Sequence, residues 1–254
     1  MRHAFSKTVI IALGGSIVFP DQIDWDFLRR FRSFVLREIK RGRRFVIVSG
    51  GGRLSRIYQE AAGKVVKVTN EDKDWLGIHA TRSNAHLLRT IFREEADPVV
   101  LDERHKIRKL SHPITIASGW RPGWSTDFIA VALAQDFNVP EAVIAGKPSH
   151  VYDKDFAKFP DAKPFTELTW SAYRKLIPAK WVPGAHAPVD PVAARLAEEA
   201  DITAIVVNGK DLKNFGNLLS GRNFEGTVVE AHQTKESRLR TYEADRTTKT
   251  KRRQ

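Results

Sequence analysis

The chain has 254 residues, no cysteine and a formal net charge of +12. This length supports one large α/β domain or two small ones, and we favour a single domain. A hydrophobic content of 42% with 28% charged residues is typical of a globular protein and excludes fibrous or wholly disordered classes. Without cysteine, disulfides and thiolate metal sites are excluded. Because no apolar stretch approaches about 18 residues and the start has no signal-peptide pattern, we expect a cytoplasmic protein without membrane association.

The positive charge is enriched at the end of the chain. Residues 231–254 hold eight Lys or Arg and three acidic residues, a net +5 that leaves +7 for residues 1–230. The total charge alone would fit a nucleic-acid-binding module, but no base-reading motif accompanies it. A basic tail of low hydrophobicity is more often a solvated extension. We therefore predict one domain over 1–230 and a disordered tail over 231–254, with nucleic-acid binding the weaker interpretation.

Apolar runs alternate with segments of helical period. Two units come first: a strand over Thr8–Leu13 with a helix over 27–39, and a strand over 45–48 with a helix over 54–62. The following elements are a helix over 75–93, strands over 98–101 and 114–117, a helix over 128–134 and a strand over 142–145. The sequence of residues 147–188 predicts an elaborated loop with one helix near 170–177. Further helices are predicted over 191–200 and 212–219, and strands over 202–207 and 226–229. This alternation predicts a three-layer α/β/α sandwich with a mainly parallel central sheet.

Three loops rich in small residues follow predicted strands. They are Gly14–Ser16, then Gly50–Gly52 with Arg53 and Arg56 behind it, and residues 119–127. Ligands of parallel sheets sit beyond the carboxyl ends of the strands, where glycine amides and helix N-termini can bind anions. Any one loop could equally be a plain turn. The sequence contains no P-loop, dinucleotide fingerprint, nucleophile elbow or zinc-protease helix, which excludes those enzyme classes as leading interpretations.

Seven segments occur in an order and spacing that resemble the uridylate (UMP) kinases. They are IALGGSIVFP, VSGGGRLSRIYQEA, DWLGIHATRSNAHLL, SGWRPGWSTD, VYDKD, APVDPVAARLAEEADI and GKDLKNFGNLLSGRNFEGTVV. The resemblance is to the archaeal-type branch of the amino-acid-kinase family and spans about residues 8–230. It implies an amino-acid-kinase (carbamate-kinase-like) fold, a homo-hexamer, and phosphoryl transfer from ATP to UMP in pyrimidine nucleotide synthesis. Mg²⁺ is expected with ATP, held mostly by phosphates and water rather than by protein ligands.

The resemblance assigns the first two glycine loops to phosphate binding. Gly15, Ser16, Gly52 and Arg56 would contact the phosphates of ATP, and Gly51 would face the phosphate of UMP. An arginine one helical turn beyond a glycine loop can direct its guanidinium toward the anion that the loop holds, so we also assign Arg56 to catalysis. The alternative is a solvated helix face, which for Arg53 is as good an interpretation.

The resemblance assigns the acceptor site to a second group of residues. Asp74 would accept hydrogen bonds from the ribose hydroxyls of UMP, or it could cap its helix. Trp124 would stack on the base or else pack beneath the loop. Asp127 is assigned to the catalytic site, although helix capping would also explain residues 125–127. Asp190, ahead of Pro191, is predicted mainly as a helix cap. The residues that would wrap the base and phosphate of UMP are Trp120, Arg121, Pro122, Gly123, Trp124, Ser125 and Thr126.

The donor side departs from the family pattern. Ala12 stands where many bacterial relatives carry a lysine, and the segment resembling T-N-V-D-G-V-Y reads GKPSHVY over residues 146–152. Tyr152 and Asp155 are retained and are assigned to ATP, together with Lys147 as a cation on the phosphate side. Two alternatives therefore remain open: a nucleotide-binding regulator without turnover, and another small-molecule kinase of the superfamily.

Overall fold

The computed structural model describes residues 1–180 and 187–231. The predicted disordered tail lies, apart from Ala231, outside the described residues, as do residues 181–186 of the predicted loop. The strands of the described part are β1 Thr8–Leu13, β2 Arg44–Ser49, β3 Ile114–Ala117, β4 Glu141–Gly146, β5 Val151–Tyr152, β6 Pro164–Phe165, β7 Glu167–Thr169, β8 Thr203–Asn208 and β9 Thr227–Glu230.

A seven-stranded sheet forms the centre of the molecule, in the order β3-β2-β1-β4-β8-β9-β7. The first five strands are parallel, with β1 paired to β2 from Thr8 opposite Arg44 to Leu13 opposite Ser49. β9 runs antiparallel to β8, and β7 is parallel to β9. β5 and β6 form a separate antiparallel pair. The carboxyl ends of β3, β2, β1, β4 and β8 therefore meet at one edge of the sheet.

The helices are α1 Gly15–Val18, α2 Trp25–Lys40, α3 Gly52–Val65, α4 Asn70–Ile91, α5 Thr126–Asp136, α6 Trp170–Leu176, α7 Pro191–Glu199 and α8 Leu212–Leu219. Most of them begin at a side-chain cap. Thr69 and Asp72 form a reciprocal capping box at α4, and the side chains of Asp24, Ser125, Asp190 and Asp211 accept backbone amides at α2, α5, α7 and α8.

Two hydrophobic cores lie on opposite faces of the sheet. Along β1, Ile10 and Ala12 pack with α5, α6 and α7, while Val9, Ile11 and Leu13 pack with α2, α4 and α8. Both faces of β1 are buried, which explains why its sequence is a continuous apolar run rather than an alternating one. The predicted three-layer α/β/α sandwich is confirmed.

One predicted strand is wrong. Residues 98–101 form no strand; only the single bridges of Ala96 with Ile114 and Leu101 with Ala117 join this segment to β3. The Asp97 carboxylate accepts the Val99 amide at 2.9 Å and closes a turn around Pro98, which cannot donate to a ladder. The predicted loop after β4 also contains β5, β6 and β7, which periodicity did not reveal because they are very short. Within the described ranges, no helix combines the length and apolar character needed to cross a bilayer.

Candidate functional site

The first two glycine loops lie against each other at the carboxyl ends of β1 and β2. A Cβ added at Gly15 would lie 1.9 Å from the Gly52 nitrogen, and one at Gly50 would lie 2.2 Å from the Gly15 nitrogen. Gly52 has a φ of +64°, and a Cβ there would lie 2.3 Å from the Gly15 carbonyl oxygen. Contact of this closeness admits only glycine. Four amides in these loops donate no hydrogen bond to any described residue: those of Gly15, Ser16, Gly51 and Gly52. The two loops can therefore present backbone donors to a polyanion.

A buried asparagine that sequence reasoning missed holds the second loop. The Nδ2 of Asn84, on α4, donates to the carbonyl oxygens of Gly50 at 2.8 Å and Gly51 at 3.2 Å. Because both carbonyls are tied back into the protein, the loop amides face the other way. In the sequence, Asn84 is one polar residue on a helix face, and only its long-range contact shows its role.

The third loop is attached to α4 at two points. The Asp74 carboxylate accepts the Gly123 amide at 2.8 Å, and the Thr81 hydroxyl accepts the Gly119 amide at 2.7 Å while donating to the Ile78 carbonyl. The helix-cap alternative for Asp74 is wrong, because α4 is capped five residues earlier by Thr69. Asp74 instead joins α4 to the loop predicted to bind UMP. Thr81 was not predicted.

The tryptophans of this loop differ in their surroundings. Trp120 is buried and donates its indole N–H to the Leu101 carbonyl at 3.3 Å. Trp124 is half-buried, packs on Phe128 with ring centroids 4.6 Å apart, and carries the Arg121 guanidinium 3.9 Å from its ring centre. These contacts favour packing for Trp120. For Trp124 they place a cation–π pair at the surface of the loop.

The side chains of Ser125 and Asp190 meet where α5 and α7 begin. Ser125 caps α5 by accepting the Phe128 amide at 3.0 Å, and its hydroxyl donates to Oδ2 of Asp190. Asp190 is buried, and its Oδ1 accepts the amides of Val192 at 2.7 Å and Ala193 at 3.0 Å, which confirms the predicted helix cap. The sequence did not reveal the bond to Ser125, which crosses 65 positions.

Asp127 lies beside this pair. The residue is half-buried. Burial, and next the charge of Asp190, raise the pKa of the Asp127 carboxyl well above its ordinary value, and a hydrogen bond from the Asp190 amide opposes the shift. Burial also raises the pKa of Asp190, against the hydrogen bonds from Ser125 and the α7 amides.

Tyr173 fixes the backbone just before Asp190. Its phenol oxygen donates to the Val189 carbonyl at 2.6 Å and accepts the Val189 amide at 2.7 Å, deep in the core. Burial raises the pKa of Tyr173 far above its ordinary value, so the phenol stays protonated and can donate. The position of Asp190 is thus determined from α6, α7 and α5 together.

The two arginines of α3 are in different states. Arg53 pairs with Glu60 at 2.6 Å, and its amide donates to Phe19. Arg56 is exposed and makes no hydrogen bond or ion pair with any residue that the structure describes. Of the two, Arg56 keeps its guanidinium available to a ligand at the glycine loops.

The predicted donor-side residues follow β4. Lys147 is exposed. Tyr152 stacks on Phe156 with ring centroids 4.9 Å apart, and its hydroxyl lies 3.3 Å from Ser149, which also contacts His150 at 3.0 Å. Burial lowers the pKa of His150. Asp155 accepts the Ala157 amide at 3.0 Å and pairs with Lys158 at 3.4 Å, so its present contacts are those of a turn.

The loops after β1 and β4 are also adjacent. The Gly14 amide donates to the Ala145 carbonyl at 2.9 Å, and a Cβ at Gly14 would lie 3.4 Å from the Gly146 Cα. The edge therefore presents, in order across the sheet, the loop after β3, the two glycine loops, and the segment after β4. Among the described residues, no three His, Asp or Glu side chains are grouped so that they could hold a metal ion by themselves.

Comparison with known proteins agrees with this arrangement. The model of the amino acid kinase family matches residues 7–208. The chain belongs to the amino acid kinase family. The uridylate kinases of Thermococcus onnurineus and Thermococcus kodakarensis are each 31% identical to it over 225 residues, which is 87% of this chain and 99% of theirs. The predicted family and fold are confirmed.

Solved structures of the family superpose well. The crystal structure of uridylate kinase from Archaeoglobus fulgidus matches with a TM-score of 0.75 and 26% identity, over 88% of this chain and 100% of that one. The UMP kinase of Bacillus anthracis matches with a TM-score of 0.74 at 20% identity, over 91% of this chain and 98% of that one, a likeness of fold.

Proposed function

We propose that the chain is a UMP kinase that transfers the γ-phosphoryl group of ATP to UMP and forms UDP. The observation that carries this proposal is the backbone contact of Gly15 with Gly52, which puts side by side two loops whose amides make no hydrogen bond to the described residues. One loop adjoins the donor segment after β4, and the other adjoins the acceptor loop through Asn84 and α4. Relatives named uridylate kinase, matched over nearly their whole length, support the choice of UMP as acceptor.

The acceptor UMP is proposed to lie between α4 and the loop after β3. Gly51 would face its phosphate. Asp74 uses Oδ2 for the Gly123 amide, and we propose that the other oxygen accepts a ribose hydroxyl. The loop residues that would surround the base and phosphate are Trp120, Arg121, Pro122, Gly123, Trp124, Ser125 and Thr126. Of these, Arg121 and Trp124 present the most suitable surface for a base, since their cation–π pair is not fully buried.

The donor ATP is proposed to lie across Gly15, Ser16 and Gly52, with its purine side toward Tyr152. Arg56, four positions after Gly52, and Lys147, which directly follows β4, are both exposed, and we propose that they neutralise phosphate charge. Asp155 would also contact ATP, once its side chain has left its present turn contacts. Mg²⁺ would arrive with ATP as part of the substrate, bound mainly by phosphate oxygens and water.

The proposed chemistry needs positioning and charge neutralisation rather than a strong base, because a phosphate acceptor is already ionised. Amides of the two glycine loops would hold donor and acceptor phosphates in line. Arg56 would offset the charge of the transferring group. Asp127, at the start of α5, would orient the groups around that position; burial and the charge of Asp190 raise the pKa of its carboxyl well above the ordinary value.

We also propose a cytoplasmic homo-hexamer. α3 buries none of its residues within the chain, and Ile57, Tyr58 and Val65 expose 42%, 56% and 82% of their surface. An apolar helix face of this kind fits a contact between identical subunits. Light scattering of the purified chain tests this proposal, and a monomer at micromolar concentration would contradict it.

A coupled assay of ADP release tests the proposed activity. Purified protein is supplied with ATP, Mg²⁺ and one of UMP, CMP, AMP or GMP. We expect the highest kcat/KM with UMP and formation of UDP. Tight binding of UMP by calorimetry with no turnover under several metal conditions would instead support the regulator alternative, and turnover with a different acceptor class would support another kinase of the family.

A further inference from the structure

The hydrogen bond from Ser125 to Asp190 joins the first residues of two helices that come from distant parts of the chain. α5 carries the acceptor loop on its N-terminal side, while α7 follows the segment after α6. The two helices pack through small residues, which allows their backbones to approach. The buried alanines of these two helices are Ala130, Ala132, Ala134, Ala193, Ala194 and Ala197.

Helix capping uses only one of the two carboxylate oxygens of Asp190. Oδ1 alone accepts both α7 amides, and Oδ2 is left for Ser125. A cap needs one acceptor, and serine or asparagine would supply it. Asp190 is also 4% exposed, a costly position for a charged group whose pKa burial raises.

The backbone around Asp190 is fixed more firmly than a helix cap requires. The Tyr173 phenol bonds both the amide and the carbonyl of Val189, and the next residue, Asp190, accepts the Ser125 hydroxyl. Residues 189–190 therefore form a rigid support that contacts Ser125, two positions before Asp127. A change in that support would move the start of α5.

We propose that Asp190 is a positioning residue for phosphoryl transfer, which holds Ser125, and with it the start of α5 that carries Asp127, in the geometry that the reaction needs. This inference rests on the proposed kinase function. Misplacement of reacting groups by about 1 Å can cost on the order of 100-fold in rate, so a bond at this place has a measurable effect.

The test compares three variants with the unaltered chain. Asp190→Ser keeps a cap for α7 but is too short to reach Ser125. Asp190→Asn keeps the cap and can restore the link, with its amide donating to the Ser125 oxygen. Asp211→Ala removes the N-cap of α8, which accepts the Asn214 amide at 2.8 Å, and so controls for loss of a cap on the opposite face of the sheet.

We expect Asp190→Ser to lower kcat by about 10- to 100-fold, while its melting temperature falls no further than that of Asp211→Ala. Asp190→Asn should recover kcat to within about threefold of the unaltered chain, because the link is restored with donor and acceptor exchanged. A kcat for Asp190→Ser within twofold of the unaltered chain would overturn the inference. So would a loss of rate that only follows the unfolded fraction.

If Asp190→Ser does not fold, Ser125→Ala breaks the same link from the other side. It should lower kcat by a similar factor, and an unchanged kcat would overturn the inference. An unaltered chain that forms no UDP would refute the proposed function itself, which is a different outcome from an active enzyme that tolerates Asp190→Ser.

Discussion

The carboxylate of Asp74 accepts a hydrogen bond from the backbone amide of Gly123, 49 positions later in the chain, at 2.8 Å. This contact joins the first turns of α4 to the loop after β3. It makes Asp74 both a support for the loop and a candidate ligand for UMP.

Replacing Asp74 tests that double role. Asp74→Ala should lower kcat/KM for UMP by about 10- to 100-fold, because a hydrogen bond to a charged group contributes about 1.5–3 kcal/mol. The KM for ATP should change little. Asp72→Ala, in the capping box on the same helix turn, is the matched control and should affect stability rather than kinetics. Equal kinetic losses in both variants would contradict the assignment.

Substitution by alanine should have opposite effects at Gly15, where the two glycine loops touch, and at Gly63, inside α3. Gly15→Ala places a Cβ 1.9 Å from the Gly52 nitrogen, so it should sharply reduce the yield of folded protein and abolish activity. Gly63 lies inside α3 with no atom within 4 Å of an added Cβ. Gly63→Ala should stabilise the fold by about 0.5–1 kcal/mol. In a chain of this size, each kcal/mol raises the melting temperature by roughly 2–4 °C. Thermal denaturation checks both.

Asp127 should reduce stability at neutral pH. Its pKa is raised in the folded state, so the folded chain binds the proton more tightly than the unfolded chain does. Stability therefore falls as the pH rises from near the ordinary value of 3.8 through the raised value. Asp127→Asn removes the charge that burial and Asp190 disfavour, so it should melt at a higher temperature at neutral pH.

The pH dependence separates this explanation from a general gain in packing. The difference in melting temperature between Asp127→Asn and the unaltered chain should shrink toward pH 4 and grow toward pH 7. Turnover should be lost in the same variant at every pH. A difference in melting temperature that does not vary with pH, or full activity of Asp127→Asn, would contradict the role given to this carboxylate.

The arginines of α3 provide a matched pair for the proposed phosphate contact. Arg56→Ala should reduce kcat by about 10- to 100-fold, the loss expected for a charge-assisted hydrogen bond to a phosphoryl group. Arg53→Ala breaks an exposed ion pair with Glu60, which contributes about 0.2–1 kcal/mol at most, and should leave kcat nearly unchanged. Steady-state kinetics at saturating ATP and UMP distinguish the two. A larger loss for Arg53 would reverse the assignment.

Local patterns in the sequence were sufficient for the elements and for part of the site. Periodicity located β1, β2, β4, β8 and the main helices, because a buried strand and an amphipathic helix have different repeats. Small residues after strands located the ligand-binding edge, since parallel strands end there together. Residues with local roles were also predicted correctly, as the caps formed by Ser125 and Asp190 show.

Short or irregular segments were harder to predict. Residues 98–101 have the apolar composition of a strand, but the turn at Asp97 and Pro98 leaves them only single bridges to β3. The direction of β9 could not be read from its sequence either, because an apolar run packs equally well in a parallel or an antiparallel ladder. Its pairing with β8 depends on the path of the chain through α8.

The sequence by itself determined which residue types stand at the carboxyl edge of the sheet: glycines, Arg56, Asp74, Asp127 and the residues around them. Only the tertiary structure decided which of these touch. The approach of Gly15 to Gly52, the bond from Asn84 to the second loop, the bond of Asp74 to Gly123 and that of Ser125 to Asp190 all join distant positions. Such contacts follow from the strand order β3-β2-β1-β4, and neither period nor propensity specifies that order, because each describes a residue only relative to its neighbours in the chain.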